Sequence, residues 1–326
     1  MILNICKWFG MKRCAFTSSW DDMTMSSIYD ITDEANKRGI KTTIYINGDN
    51  KEWRTDLFLG NDFTKKSDLI FNDKIRERLK YIYDLGNEIG NHTYSHISLK
   101  KMDYSQFVNE VEMCNKLINS ITGQKDFTFC YPHGHTIPDK NIINYLKQKF
   151  ISCRGADYAK RPEQGLNYID NGQNLLKIKT IHVGSFPYKK ELNELNKLIN
   201  HTRNIGEWLV EYGHGWDGDA WRSVDKNMLL KHYDYINSFD DIWCDTIYNV
   251  SKYIIQRKNI RINLTEKNDG YEMKFENVKN DSPITLCSNI NIEIYQDNNL
   301  IVSEKYNNKF IYNIYKYSKC VIKILQ

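Results

Sequence analysis

No run in the 326-residue chain approaches the roughly 18 consecutive apolar residues that cross a bilayer, so a membrane-spanning helix is not expected. No Lys/Arg block stands out and the formal net charge is only +4, which argues against a nucleic-acid partner. Eight cysteines are present, at 6, 14, 114, 130, 153, 244, 287 and 320, but none form a Cys-x-x-Cys pair. That spacing argues against a zinc ribbon, and cysteines in apolar runs such as Phe129-Cys130 are expected to be buried free thiols in a reducing compartment. Met1 to Gly10 is too short and interrupted for a secretory leader, so a cytoplasmic location is expected. Internal repeats and low-complexity linkers are also lacking. What remains, with 41% hydrophobic and 26% charged residues, is a globular composition with length for a large domain plus a small one, or for two ordinary domains.

Up to about residue 255, short apolar runs alternate with amphipathic stretches. Strands are expected at 13–18, 41–46, 127–131, 150–154 and 207–212. Helices are expected at 26–38, 73–85, 104–121, 138–148, 189–201, 224–238 and 246–256, several of them stopped by glycine (Gly39, Gly86, Gly123). Such alternation specifies a parallel sheet, open or closed into a barrel. From about Asn259 the period changes to two. Short runs such as Tyr271 to Phe275 and Phe310 to Tyr315 are separated by clusters such as Lys267-Asn268-Asp269-Gly270, which predicts a small antiparallel β domain. The expected division is therefore 1–258 and 259–326.

Four segments carry chemistry. Asp21-Asp22 follows the first strand, at the end where parallel α/β sheets build sites. Alone, the pair reads equally as a helix cap. Asn91-His92-Thr93-Tyr94-Ser95-His96 places two histidines four apart, which in a helical turn share one face. Two imidazoles plus one carboxylate make a three-ligand site with a position left open for water. Tyr131-Pro132-His133-Gly134 follows another strand as a turn that can aim backbone N–H groups into a pocket. An apolar strand, Trp208 to Gly213, delivers His214. The loop after it holds Trp216 and Trp221, either as sugar-stacking residues or as plain surface, and His182 is expected to be structural.

These segments resemble the motifs of the polysaccharide deacetylase (NodB-homology) family of metal-dependent carbohydrate esterases. Ser19-Trp20-Asp21-Asp22 is similar to the family's Thr-Phe-Asp-Asp, and His92-Thr93-Tyr94-Ser95-His96 fits its His-Ser/Thr-x-x-His fully. Cys130-Tyr131-Pro132-His133-Gly134 keeps the second proline and the glycine of Arg-Pro-Pro-Tyr-Gly, and the strand ending at His214 is similar to Leu-x-Leu-His. The resemblance covers roughly residues 11 to 255. It implies a distorted (β/α)7 barrel, followed here by the small antiparallel β domain. By position it implies Asp22, His92 and His96 as metal ligands, Asp21 as general base, His214 as general acid, and the backbone N–H of His133 as oxyanion donor. The metal would be divalent, most simply zinc, and the substrate an N-acetylated carbohydrate.

Two motifs depart from the pattern. The arginine of the third is Cys130, and Arg154 is a candidate to replace its charge. The fourth is degraded; Asp157 falls near the right place to orient His214. Tyr131, Arg154 and Trp216 are candidates for the substrate pocket. The expected activity is therefore removal of an N-acetyl group from an amino sugar in a polysaccharide, oligosaccharide or glycan precursor. A carbohydrate-binding pseudoenzyme, and a hydrolase of a non-sugar amide or O-acetyl ester, stand as alternatives. The oligomeric state is not legible.

Overall fold

The computed structural model describes residues 3–48, 73–134, 139–155, 165–184 and 189–324. They fall into two compact units. The first holds residues 16–240 and 244–248; the second draws on both ends of the chain, taking in the described residues up to Ala15 together with 241–243 and 249–324.

In chain order the strands up to residue 244 are β1 (Leu3–Ile5), β2 (Cys14–Trp20), β3 (Thr42–Ile46), β4 (Glu88–Asn91), β5 (Phe127–Cys130), β6 (Phe150–Arg154), β7 (Leu166–Asn167), β8 (Ile181–His182), β9 (Trp208–Gly213) and β10 (Ile242–Cys244). The helices are α1 (Thr32–Lys37), entered through a π-helical turn at Ser26–Ile31, then α2 (Asp73–Asp84), α3 (Tyr104–Thr122), α4 (Lys140–Lys149), α5 (Leu192–Ile205), α6 (Lys226–Asn237) and α7 (Ile247–Asn259). The larger unit is built on a curled sheet whose path runs β6-β5-β4-β3-β2-β9-β7, with β8 also beside β9. β2 to β6 pair in parallel with their sequence-adjacent neighbours, and β8 with β9; short β7 pairs antiparallel. The parallel sheet expected from the alternation of strands and helices is present, curled as in the distorted barrel that the resemblance implies.

The strands are buried on both faces because helices cover one side and the barrel interior the other. Every residue of β2, β3 and β9 is buried. α3 shows how the sequence punctuates itself. Asp103 and Gln106 form a reciprocal capping box, Gly123 ends the helix at φ 75°, and Phe107, Val111, Cys114, Ile118 and Ile121 recur on the buried face. α4 begins at Lys140 rather than 138, because the Asp139 side chain accepts from the Asn141 and Ile142 N–H groups and so caps it. At the start of β4, buried Glu88 accepts from Thr43 and Thr128 hydroxyls and the Tyr248 N–H, tying three adjacent strands together at the barrel's N-terminal end.

The other unit continues with β11 (Arg261–Lys267), β12 (Gly270–Glu276), β13 (Ile284–Ser288), β14 (Ile292–Gln296), β15 (Asn299–Ile301), β16 (Glu304–Tyr306), β17 (Lys309–Ile314) and β18 (Cys320–Ile324). They form two antiparallel sheets, ordered β1-β13-β17-β16 and β11-β12-β18-β14-β15. The hairpin expected at Lys267 to Gly270 is present, those two residues facing each other. The core between strands includes Met273, Ile284, Leu286, Ile294, Tyr312 and Ile322. The N-terminal β1 pairs with β13, Leu3 opposite Ser288 and Ile5 opposite Leu286. All eight cysteines are free thiols, seven of them buried, and no helix among the described residues is long and apolar enough to cross a membrane.

Candidate active site

The chemical residues stand where five strands of the sheet end. Asp21 and Asp22 follow β2, His92 follows β4, Tyr131 to His133 follow β5, Arg154 closes β6 and His214 follows β9. The carboxyl ends of parallel strands are the usual place for such a site, because the connections there are free to vary while the sheet fixes their starting points.

The two histidines are not on a helix. His92 to His96 form an irregular loop in which Thr93 (φ 62°) and His96 (φ 53°) are left-handed, which breaks any helical turn. The loop is shaped by its neighbours. Asn91 Oδ1 accepts from Thr93 N–H at 2.8 Å, while Asn91 Nδ2 donates to Val111 O and Asn115 Oδ1 on α3. Glu110 of α3 accepts from both Ser95 N–H and Ser95 Oγ at 2.6 Å. Proximity of the imidazoles therefore comes from this clamp, with ring centroids 4.7 Å apart, and the i,i+4 helical expectation is corrected.

Asp22, itself left-handed at φ 70°, faces them. Its Oδ1 lies 3.5 Å from His92 Nε2 and 3.5 Å from His96 Nε2, and its Oδ2 lies 3.7 Å from His214 Nε2. Ligand atoms held at 2.0–2.1 Å from a tetrahedral ion stand about 3.4 Å apart, so the Asp22–His92–His96 set has the spacing and donor chemistry of a divalent-metal site. His92 Nδ1 bonds the Cys130 carbonyl oxygen at 2.9 Å, which fixes the ring with Nε2 toward Asp22. Burial pushes the His92 pKa down from 6.5 to about 4, so the ring is neutral at pH 7, the form that ligates a metal. A second grouping, Asp21–His92–Cys130, is less suited: burial pushes the Cys130 thiol well above its usual range, and a protonated thiol is a poor ligand.

Asp21 has a different environment from its neighbour. Its backbone N–H donates to Gly213 O at 2.9 Å, and its Oδ1 takes a charge-assisted hydrogen bond from Arg154 Nη2. Arg154 is completely buried, its guanidinium between the rings of Tyr45 and Tyr212, 4.9 Å from each centroid. Gly90 makes room for this: a Cβ there would stand 2.5 Å from the Tyr45 ring. Burial would raise the Asp21 pKa, but the Arg154 charge, with His92 and His214 adding to it, holds the carboxyl below its usual value. The structure thus brings Arg154 to the acidic pair, where the Sγ of Cys130 also lies, 3.7 Å from Asp21 Oδ2.

His214 stands beside Trp221 and His182, with ring centroids at 5.3 and 5.6 Å. Its Nδ1 has no hydrogen-bond partner among the described residues; Asp157, expected to orient it, lies outside them. His133 is left-handed (φ 56°) and its ring is 4.6 Å from that of His96. The remaining pocket candidates are elsewhere. The Tyr131 hydroxyl donates to Leu176 O at 3.0 Å and its ring packs on Phe129. Trp216 is buried against Lys226, and the loop's other tryptophan, Trp221, is the one beside His214. Sequence reasoning passed over Tyr45, Tyr212 and Glu110 and set His182 aside. For Glu110 a signal existed, because a carboxylate on the apolar-patterned α3 faces a loop rich in donors.

The polysaccharide deacetylase family model matches residues 11–151, a span that contains Asp21, Asp22, His92, His96 and His133. Over that span the chain is similar to the polysaccharide deacetylases. Among solved structures, one assigned to the polysaccharide deacetylases from Mycobacterium smegmatis is 14% identical, with a TM-score of 0.53 over 81% of this chain and 98% of that one. Another, so assigned from Pseudomonas aeruginosa PAO1, is 12% identical, with a TM-score of 0.52 over 75% and 92%. At these identities the likeness is one of fold. No curated protein matches. Arg154 and His214 lie beyond the matched span, so their place in the site rests on geometry alone.

Proposed function

We propose that the chain is a metal-dependent hydrolase that removes an N-acetyl group from an amino sugar in a polysaccharide, oligosaccharide or glycan precursor. The observation that carries this reading is the equal 3.5 Å approach of His92 and His96 Nε2 to Asp22 Oδ1, with a second, separately held carboxylate next in sequence. Asp22, His92 and His96 would hold the ion. A divalent cation there, zinc on this donor set, would polarise the acetyl carbonyl and lower the pKa of a water molecule.

The chain's own groups do the rest. Asp21, kept ionised by Arg154, accepts the proton of the attacking water. The Arg154 clamp also keeps this carboxylate from swinging toward the ligand position, so the two adjacent aspartates divide ligation and base catalysis between them. The backbone N–H of His133, in the left-handed turn beside His96, is the oxyanion donor in this scheme. His214, when protonated, gives its proton to the leaving nitrogen; Trp221 and His182 restrict the motion of its ring. The smaller β unit, which draws on residues up to Ala15, on 241–243 and on 249–324 rather than beginning at 259, supplies none of these groups.

The test is acetate release from a panel of N-acetylated amino-sugar oligomers, by chelated protein and by protein reloaded with one equivalent of zinc. Release that returns with zinc is expected. Stoichiometric metal with no release from any acetylated saccharide would instead leave a binding-only role.

A further inference from the structure

A second cleft, of about 400 Å³, opens on the same unit and is lined by Met25, Ser26, Tyr29, Asp30, Trp216, Asp217 and Asp219. None of the residues assigned above to metal, base or acid lines it. Its walls are two connections that also carry the reaction: the segment after Asp22, which enters the π-helical turn, and the loop after His214. They are stitched together. Ser26 N–H donates to Asp219 Oδ2 at 2.7 Å, Trp216 N–H to Ser26 Oγ at 3.2 Å, and the Thr24 hydroxyl to the His214 carbonyl. Ser26 is the fourth residue after Asp22, so their Cα atoms are at most about 14 Å apart, a length that a short run of pyranose rings covers. π-helical turns are uncommon and recur at functional sites.

The chemistry of the lining decides the ligand class. A neutral sugar is ordinarily held by stacking on aromatic faces, but here cations already stand over both rings: Lys226 Nζ is 4.6 Å from the Trp216 centroid, and the Arg78 guanidinium 5.1 Å from that of Tyr29. Three carboxylates remain. Asp217 Oδ1 accepts from the Lys226 N–H and Asp219 Oδ2 from the Ser26 N–H, which fixes both side chains while each keeps a second oxygen; Asp30 is exposed. A cleft with apolar edges and several placed carboxylates accepts a small cation that carries hydroxyl groups.

We infer that this cleft binds a protonated amino sugar, a unit of the same chain that has already lost its acetyl group. The inference rests on the proposed deacetylase function, whose product is an amine that is cationic at neutral pH. It makes the substrate class a partly deacetylated amino-sugar chain, read by charge at one unit and hydrolysed at another.

The probes are a fully deacetylated glucosamine tetramer and the fully N-acetylated tetramer, each titrated calorimetrically into the whole zinc-loaded protein and into the double variant Asp30→Asn/Asp217→Asn. Two partly exposed charge contacts together are expected to change affinity about tenfold. The double variant should therefore bind the deacetylated tetramer about tenfold more weakly and the acetylated one within twofold of the parent. Equal losses for both tetramers, or no loss for either, overturn the inference. If the parent releases no acetate from any acetylated sugar yet binds the deacetylated tetramer through these aspartates, the deacetylase reading fails while the cationic-sugar site stands.

Discussion

Replacing Arg154 with methionine removes the cation that touches Asp21 among the described residues, while keeping a side chain of similar length between Tyr45 and Tyr212. The change leaves a buried carboxylate without its partner. Breaking such a pair typically costs about 3–5 kcal/mol, because the remaining charge keeps its desolvation penalty and loses its compensation. Asp21 can escape part of that cost only by taking a proton, and a protonated Asp21 cannot accept one from water. Arg154→Met should thus lose about 3–5 kcal/mol of unfolding free energy and about 10²–10⁴-fold in acetate release, the range typical of a lost general base. Bound metal should be unchanged, since Asp22, His92 and His96 are untouched. Adding Asp21→Asn to Arg154→Met removes the orphaned charge and should restore most of the stability but none of the activity. Urea unfolding followed by tryptophan fluorescence, beside acetate release and metal content, reads all three. An Arg154→Met protein within about 1 kcal/mol of the parent and still active would refute the idea that this guanidinium holds the base.

His92→Ala should lose most bound zinc, measured by metal analysis after dialysis, because a three-ligand site has none to spare. In chelated protein the buried His92, its pKa lowered from 6.5 to about 4, stabilises the fold fully above pH 6.5, where both states are neutral, and loses about 3 kcal/mol as pH falls from 6.5 to 4, because only the unfolded chain takes up the proton there. Chemical unfolding across that window should show the loss, and it should be largely absent in His92→Ala. Asp21 is lowered relative to its free value, so its contribution, present above pH 4, fades only below that point. In the smaller unit, Leu286→Ala truncates a fully buried side chain and should cost about 2–5 kcal/mol, seen as an earlier unfolding transition, with acetate release by the folded protein retained.

Much of the barrel is legible in the sequence because strand and helix periods differ and most helices announce their ends. Gly123 and Gly39 stop helices as the sequence predicts, and β6 runs over the same five residues, Phe150 to Arg154, as the apolar pattern indicates. Elements missed were those too short for a period, such as β7 and β8 with two residues each, and β1, whose pairing with β13 spans nearly the whole chain. β4 was missed for another reason: Glu88-Ile89-Gly90-Asn91 has little strand propensity, and tertiary contacts through Glu88 and Asn91 override it.

At the site, residue types and strand-end positions pointed to Asp21, Asp22, His92, His96 and His214, which converge in space. Their mutual geometry was not legible, since it depends on left-handed backbone at Asp22, Thr93 and His96, a conformation uncommon for any residue but glycine. The Tyr45–Arg154–Tyr212 stack joins three strands far apart in sequence, and nothing within any one of them marks it. Trp216 and Trp221 look alike in one loop; only packing separates the tryptophan beside His214 from the one beside Lys226.

The central claim is that one aspartate ligates and its neighbour takes the proton. The most direct measurement is metal content and acetate release, side by side, in Asp21→Asn. The account predicts one equivalent of metal retained and turnover lower by about 10²–10⁴-fold. Full turnover in that protein, or loss of its metal, would contradict it.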